Sequence, residues 1–116
     1  MESDRELLSR FCEVGCDRAF AALVDRYIDL AYSVAFRQMG GDAQSARDVC
    51  QEVFAALAKK AKGLEKGVVL SGWVYRSARF ETLRIRKAEQ RRRAREWEAQ
   101  MRNAQMDDDD AQSIDW

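Results

Sequence analysis

The sequence contains neither proline nor histidine. Without proline, every residue keeps its backbone N–H and no interior position forbids helix. Without histidine, the commonest general base and the commonest metal ligand are both missing. Three cysteines, Cys12, Cys16 and Cys50, are an odd number and too few for a disulfide framework. They lack the fourth ligand that closes a structural zinc site, and small apolar side chains are their simpler role. No run of about 18 apolar residues occurs, so no membrane span is expected. The opening MESDRELLSR has no apolar signal core, and a cytoplasmic protein is expected. There is no Walker-type or dinucleotide-type glycine loop and no G-x-S-x-G elbow. Asp48 and Glu52 lie one helical turn apart, a common surface spacing that does not by itself make an acid–base pair. The chain is therefore read as a non-enzyme, with no cofactor and no metal.

What is present is a soluble-domain composition: 116 residues, 47% hydrophobic and 34% charged, enough for one domain with a modest core. The formal net charge is zero, but the charges are segregated. Residues 1–58 carry six basic and ten acidic side chains, and residues 59–75 carry four and one. Residues 76–95 carry nine and two, and residues 96–116 carry one and seven. A strongly basic block followed by an acidic one points to a polyanion-binding element with an acidic tail.

Caps and periodicity predict four helices. Ser3-x-x-Glu6 is a capping-box pattern, followed by Leu7, Leu8 and Phe11 and ended by Gly15. Asp17 is the expected cap of the second helix, whose apolar positions run from Phe20 through Leu23, Val24, Tyr27, Ala31 and Val34 to Ala35 before Gly40-Gly41. Asp42 is expected to cap the third. Its stripe is Ala46, Val49, Cys50, Val53, Phe54, Leu57 and Ala61, and Gly63 is its expected end. The loop GLEKGVVL follows, with several apolar side chains. Ser71 is the expected cap of a fourth helix that reaches Arg95 or beyond and projects from the bundle at its basic end. On its wheel Val74, Tyr75, Ala78, Thr82 and Ile85 form the core face. Trp73, Arg76, Phe80, Arg84, Lys87, Arg91 and Arg95 form the opposite stripe. The expected fold is all-α, a compact bundle of about four helices over 1–105, with a disordered acidic linker or tail over 106–116.

The fourth helix interleaves cations with aromatic rings. Cations neutralise phosphates and release counterions. Rings stack on unpaired bases, which suits a single strand. The apolar loop beside it suits a base turned out of its stack. A helical module that binds single-stranded nucleic acid, or pairs with an acidic protein, is compatible with the same residues.

The order DAQSARDVCQEVFAAL, a short basic loop, then SGWVYRSARFETLRIRK resembles region 2 of bacterial sigma-70 family RNA polymerase sigma factors, most closely the extracytoplasmic-function group. The likeness covers roughly residues 17–95. It implies a helical bundle that docks on the RNA polymerase core and recognises and melts the promoter −10 element in transcription initiation. Asp48, Gln51 and Glu52 match the positions that dock on the clamp helices of the β′ subunit. Carboxylates and an amide there can accept hydrogen bonds from arginines on a facing helix. The loop and helix that capture the nontemplate strand of the −10 region match Leu64, Lys66, Trp73, Arg76, Phe80, Arg84, Lys87 and Arg91. An anti-sigma factor is a further partner that the resemblance allows. Two departures stand out. Phe80 replaces the family's usual asparagine, putting a stacking ring where an amide reads a base edge. Leu64 and EKGVVL replace a loop that is frequently aromatic and Ser/Glu-rich. The second, helix-turn-helix domain of that group has no counterpart within these residues, so a fragment ending in the interdomain linker and a stand-alone relative are both compatible.

Overall fold

Each helix begins or ends where a local signal competes with burial. The computed structural model describes the backbone of residues 1–114 and the side chains of residues 1–106. α1 spans Asp4–Val14, α2 Asp17–Gln38, α3 Ala43–Leu64 and α4 Leu70–Ile114, and no strand occurs among the described residues. Ser3 caps α1, its hydroxyl accepting from the Glu6 N–H at 3.2 Å. Gly15 closes α1 at φ +66°, a left-handed conformation that costs glycine little. Asp42 caps α3, its carboxylate accepting from the N–H of Gln44 at 3.1 Å and the hydroxyl of Ser45 at 2.8 Å. Those donors hold the Asp42 carboxyl below its usual pKa.

Three expected boundaries are corrected. Cys16, not Asp17, is the residue before α2, and Asp17 lies in its first turn, where a negative charge suits the helix dipole. α3 does not stop at Gly63 but runs on to Leu64, whose side chain is buried. A glycine inside a helix costs about 1 kcal/mol relative to alanine. Burying a leucine returns about 1.5–3 kcal/mol, so the Leu57–Ala61–Leu64 stripe wins. Likewise α4 starts at Leu70, before Ser71, because Leu70 opens a buried series with Val74, Ala78 and Thr82. The Trp73 N–H donates to the Val69 carbonyl at 3.1 Å, closing that first turn. Tyr75, expected in the core, is 43% exposed, because the buried stripe is one residue wide; its ring faces Arg79 at 5.9 Å instead. The α4 bounds also take in 107–114, expected as an aperiodic tail. The side chains of that stretch, and 115–116 altogether, lie outside the described residues.

The chain divides into two units, Met1–Arg84 and Ile85–Trp116. In the first, α2 packs on α1 and α3, and α1 also reaches α3. Leu8, Leu23, Val49, Val53, Leu57 and Val74 are its largest fully buried apolar side chains. Thr82, also fully buried, satisfies its hydroxyl by donating back to the Ala78 carbonyl at 2.7 Å. Asp4 ties α1 to α2, taking Arg26 at 2.7 Å and the Tyr27 hydroxyl. Burial, and then that hydrogen bond to Asp4, push the Tyr27 pKa up to about 12. In the second unit the described side chains are exposed, except for the half-buried Ile85 and Glu89.

Candidate nucleic-acid interface

Within the first unit, α3 and the first turns of α4 run antiparallel, joined by residues 65–69. Glu52 therefore lies beside Arg84, while Ala56 and Lys60 lie beside Trp73, Ser77 and Phe80. Between the two helices is an open depression of about 300 Å³, lined by Ala56, Lys60, Trp73, Arg76, Ser77, Phe80 and Glu81. The small Ala56 leaves room for it. Phe80 is 64% exposed beside this depression and Trp73 is half-buried against it. The Arg76 guanidinium lies back over Gly72, and a Cβ added there would meet its Nη1 at 3.1 Å. Glycine thus leaves the space in which this cation rests.

Of the eight residues expected at the strand-binding surface, Trp73, Arg76 and Phe80 come together at this depression. Leu64 does not belong to it. Its side chain is 8% exposed and forms part of the core, and Val68 and Val69 are the exposed apolar residues of the loop. Lys66 is exposed but lines a separate cleft of about 580 Å³ with Arg5, Ser9 and Glu13 of α1. Arg84 is occupied by two carboxylates: its Nε donates to Glu81 at 2.8 Å and its Nη2 lies 3.8 Å from Glu52. The hydrogen bond to Glu81, then the charges of Glu81 and Glu52, raise its pKa further above the ordinary arginine value. Lys87 and Arg91 lie in the second unit and are exposed. Lys60 and Glu81 escaped the sequence reading. Lys60 sits among lysines that a helix C-terminus favours on its own account, and Glu81 stands in a basic block. Only the pairing of α3 with α4 brings them together.

Asp48, Gln51 and Glu52 form one exposed polar face on α3, opposite the buried stripe. Asp48 accepts from the Gln44 amide at 3.1 Å. Gln51 also edges an open, largely apolar groove of about 490 Å³ between α2 and α3, lined by Val24, Ile28, Tyr32, Cys50 and Phe54 with Arg47 at its rim. The sequence signal for that groove was the Val24–Ile28–Tyr32 spacing, one step aside from the main α2 stripe.

The cysteines do not gather. Burial raises the Cys12 and Cys50 thiols, whereas the Ala19 backbone N–H, and then nearby Arg10, lower Cys16. Among the described residues no group of three potential ligands could hold a metal ion, and no helix is long and apolar enough to cross a membrane.

An exposed carboxylate–amide face and a cationic, ring-lined depression on adjoining helices are what the quoted motifs imply. A family model for sigma-70 region 2 matches residues 23–94, more than half of the chain. The chain belongs to the sigma-70 region 2 family. No curated protein and no solved structure matches. Sigma-70 region 2 is a module of transcription initiation, and the family is non-catalytic. Its members bind the RNA polymerase core and promoter DNA. That assignment sets aside a binding or interaction module unrelated to initiation. In this sigma region 2 the two matched motifs lie on α3 and on α4, the helices that frame the depression.

Proposed function

We propose that this region 2 domain is of the extracytoplasmic-function type, docks on the β′ clamp helices of the polymerase core, and captures the nontemplate strand of a promoter −10 element as it melts. Docking falls to Asp48, Gln51 and Glu52, which accept hydrogen bonds from basic side chains of the facing helix. The apolar groove beside Gln51 receives apolar side chains of the same partner. Strand capture falls to Lys60 and Arg76 for phosphates and to Trp73 and Phe80 for an unpaired base. Val68 and Val69 take the apolar role first expected of Leu64, while Lys66, Lys87 and Arg91 add phosphate attraction. The observation that carries this reading is Phe80, a large ring left exposed beside two cations and an open depression. A duplex offers no base face to such a ring, whereas a melted strand does.

The test measures polymerase-core affinity and thermal melting for Asp48→Lys and Glu52→Lys. Exposed polar substitutions move stability by within about 0.5 kcal/mol, so both variants should stay folded and lose core affinity. Unchanged core affinity would remove this face from the interface.

A further inference from the structure

The depression beside Phe80 contains one group that a phosphate-binding surface does not call for. Its cations and rings suit a nucleic-acid strand, yet Glu81 lines it too. A carboxylate there repels a polyanion. It is not a loose surface group either, since its side chain is only 14% exposed. Arg84 donates to Oε2 at 2.8 Å, and Arg84 is itself drawn toward Glu52 at 3.8 Å. One oxygen is thus pinned. Oε1 has no protein donor among the described residues, and no buried side-chain polar atom is left unpartnered, so Oε1 is open to solvent. A fixed carboxylate with one accessible oxygen, next to an exposed ring, is an acceptor aimed at the edge of whatever lies on that ring.

We propose that Glu81 is a specificity-determining residue: Oε1 accepts a hydrogen bond from the exocyclic amino group of an unpaired adenine or cytosine whose ring lies on Phe80. Arg84 is the positioning residue that holds the carboxylate in place. The inference rests on the single-strand reading above. Adenine N6 and cytosine N4 are donors, whereas guanine O6 and thymine O4 turn lone pairs toward the same point. A carboxylate therefore attracts the first pair and repels the second. Hydrogen bonds to an ionised acceptor are among the stronger ones, and the expected preference at this one position is about tenfold.

The experiment uses the chain bound to RNA polymerase core. Its probes are single-stranded nontemplate oligonucleotides in which each position in turn carries adenine, cytosine, guanine, thymine or purine lacking the amino group. Wild type should favour adenine and cytosine at one position by about tenfold, with the amino-less purine losing that advantage. Glu81→Ala should abolish the preference and bind the guanine and thymine strands more tightly than wild type, because a repulsive charge is gone. Arg84→Ala should weaken the preference, and Arg84→Lys should restore part of it. If Glu81→Ala shifts all five strands equally, the carboxylate does not select and the proposal is overturned. If wild type binds none of the strands, the strand-capture reading itself falls and the proposal with it. The two failures are distinct.

Discussion

From Leu70 to Thr82, α4 buries every fourth residue; from Ile85 to Met106 it buries none, and Trp97 and Met101 are 64% and 54% exposed. One helix is therefore maintained in two ways. The first stretch tolerates Gly72 and the β-branched Val74 and Thr82, poor helix formers, because burial against the other helices outweighs propensity. The second contains no glycine and is built largely of Arg, Lys, Glu, Gln, Ala and Met, the strong helix formers. An Arg92–Glu96 pair at 3.8 Å adds support that is small at an exposed site. Packing fixes a side chain in one place, whereas propensity fixes only the backbone. That is why the depression with a defined geometry lies on the first stretch and the densest charge lies on the second.

The sharpest way to break this contrast is to remove the same bulk from both stretches. Leu70→Ala should cost about 2–5 kcal/mol in urea unfolding, as large-to-small core changes do. Met101→Ala should stay within about 0.5 kcal/mol. Equal losses would mean that the second stretch is packed after all. Next in size is Phe80, exposed although it lies in the packed stretch. Phe80→Ala should weaken binding to nontemplate oligonucleotides by about 1–3 kcal/mol while leaving stability nearly unchanged. Phe80→Asn should sharpen discrimination at one position. A drop of several degrees in melting temperature with affinity intact would make the ring a packing residue.

The charge-dense stretch should contribute without reading sequence. Neutralising Lys87 and Arg91 together should make the salt dependence of single-strand binding shallower by about 0.7 per charge removed. The preferred sequence should not change, and an unaltered slope would take these cations off the strand. The smallest effect concerns the packed unit at alkaline pH. Tyr27 is normally deprotonated near pH 10.0 but in the fold only near 12. The fold favours the neutral hydroxyl, so its contribution is fully present below about pH 10 and is lost as pH rises toward 12. Tyr27→Phe should flatten the stability profile across that window. An identical alkaline decline in both proteins would remove Tyr27 from the account.

Periodic burial was legible in the sequence, and context-dependent placement was not. Every expected position of the α3 stripe, from Ala46 to Ala61, is buried, and the Ser3, Gly15 and Asp42 caps stand where local chemistry put them. Gly63 and Ser71 misled because a cap signal is worth less than a buried leucine beside it. Tyr75 misled because a wheel gives direction but not the width of the contact. Leu64 matched the expected binding loop by position, yet its burial was decided by how α3 meets the core. Among site residues, exposure of Asp48, Gln51, Glu52 and Phe80 followed from periodicity alone. The engagement of Arg84 by Glu52 and Glu81 did not, because one of its partners is 32 residues away in sequence.

The connections within the first unit are two, four and five residues long, at 15–16, 39–42 and 65–69. Its helices mostly meet their neighbours in sequence. Closing each such loop restricts few residues, so little chain entropy is lost before native contacts compensate for it. Helical topologies of this low contact order fold in roughly microseconds to milliseconds. With no proline anywhere, no prolyl isomerisation can add a phase of tens of seconds. Newly made chain should therefore pass quickly through the stage at which its core is exposed, and the first unit should refold in a single rapid phase after dilution from denaturant.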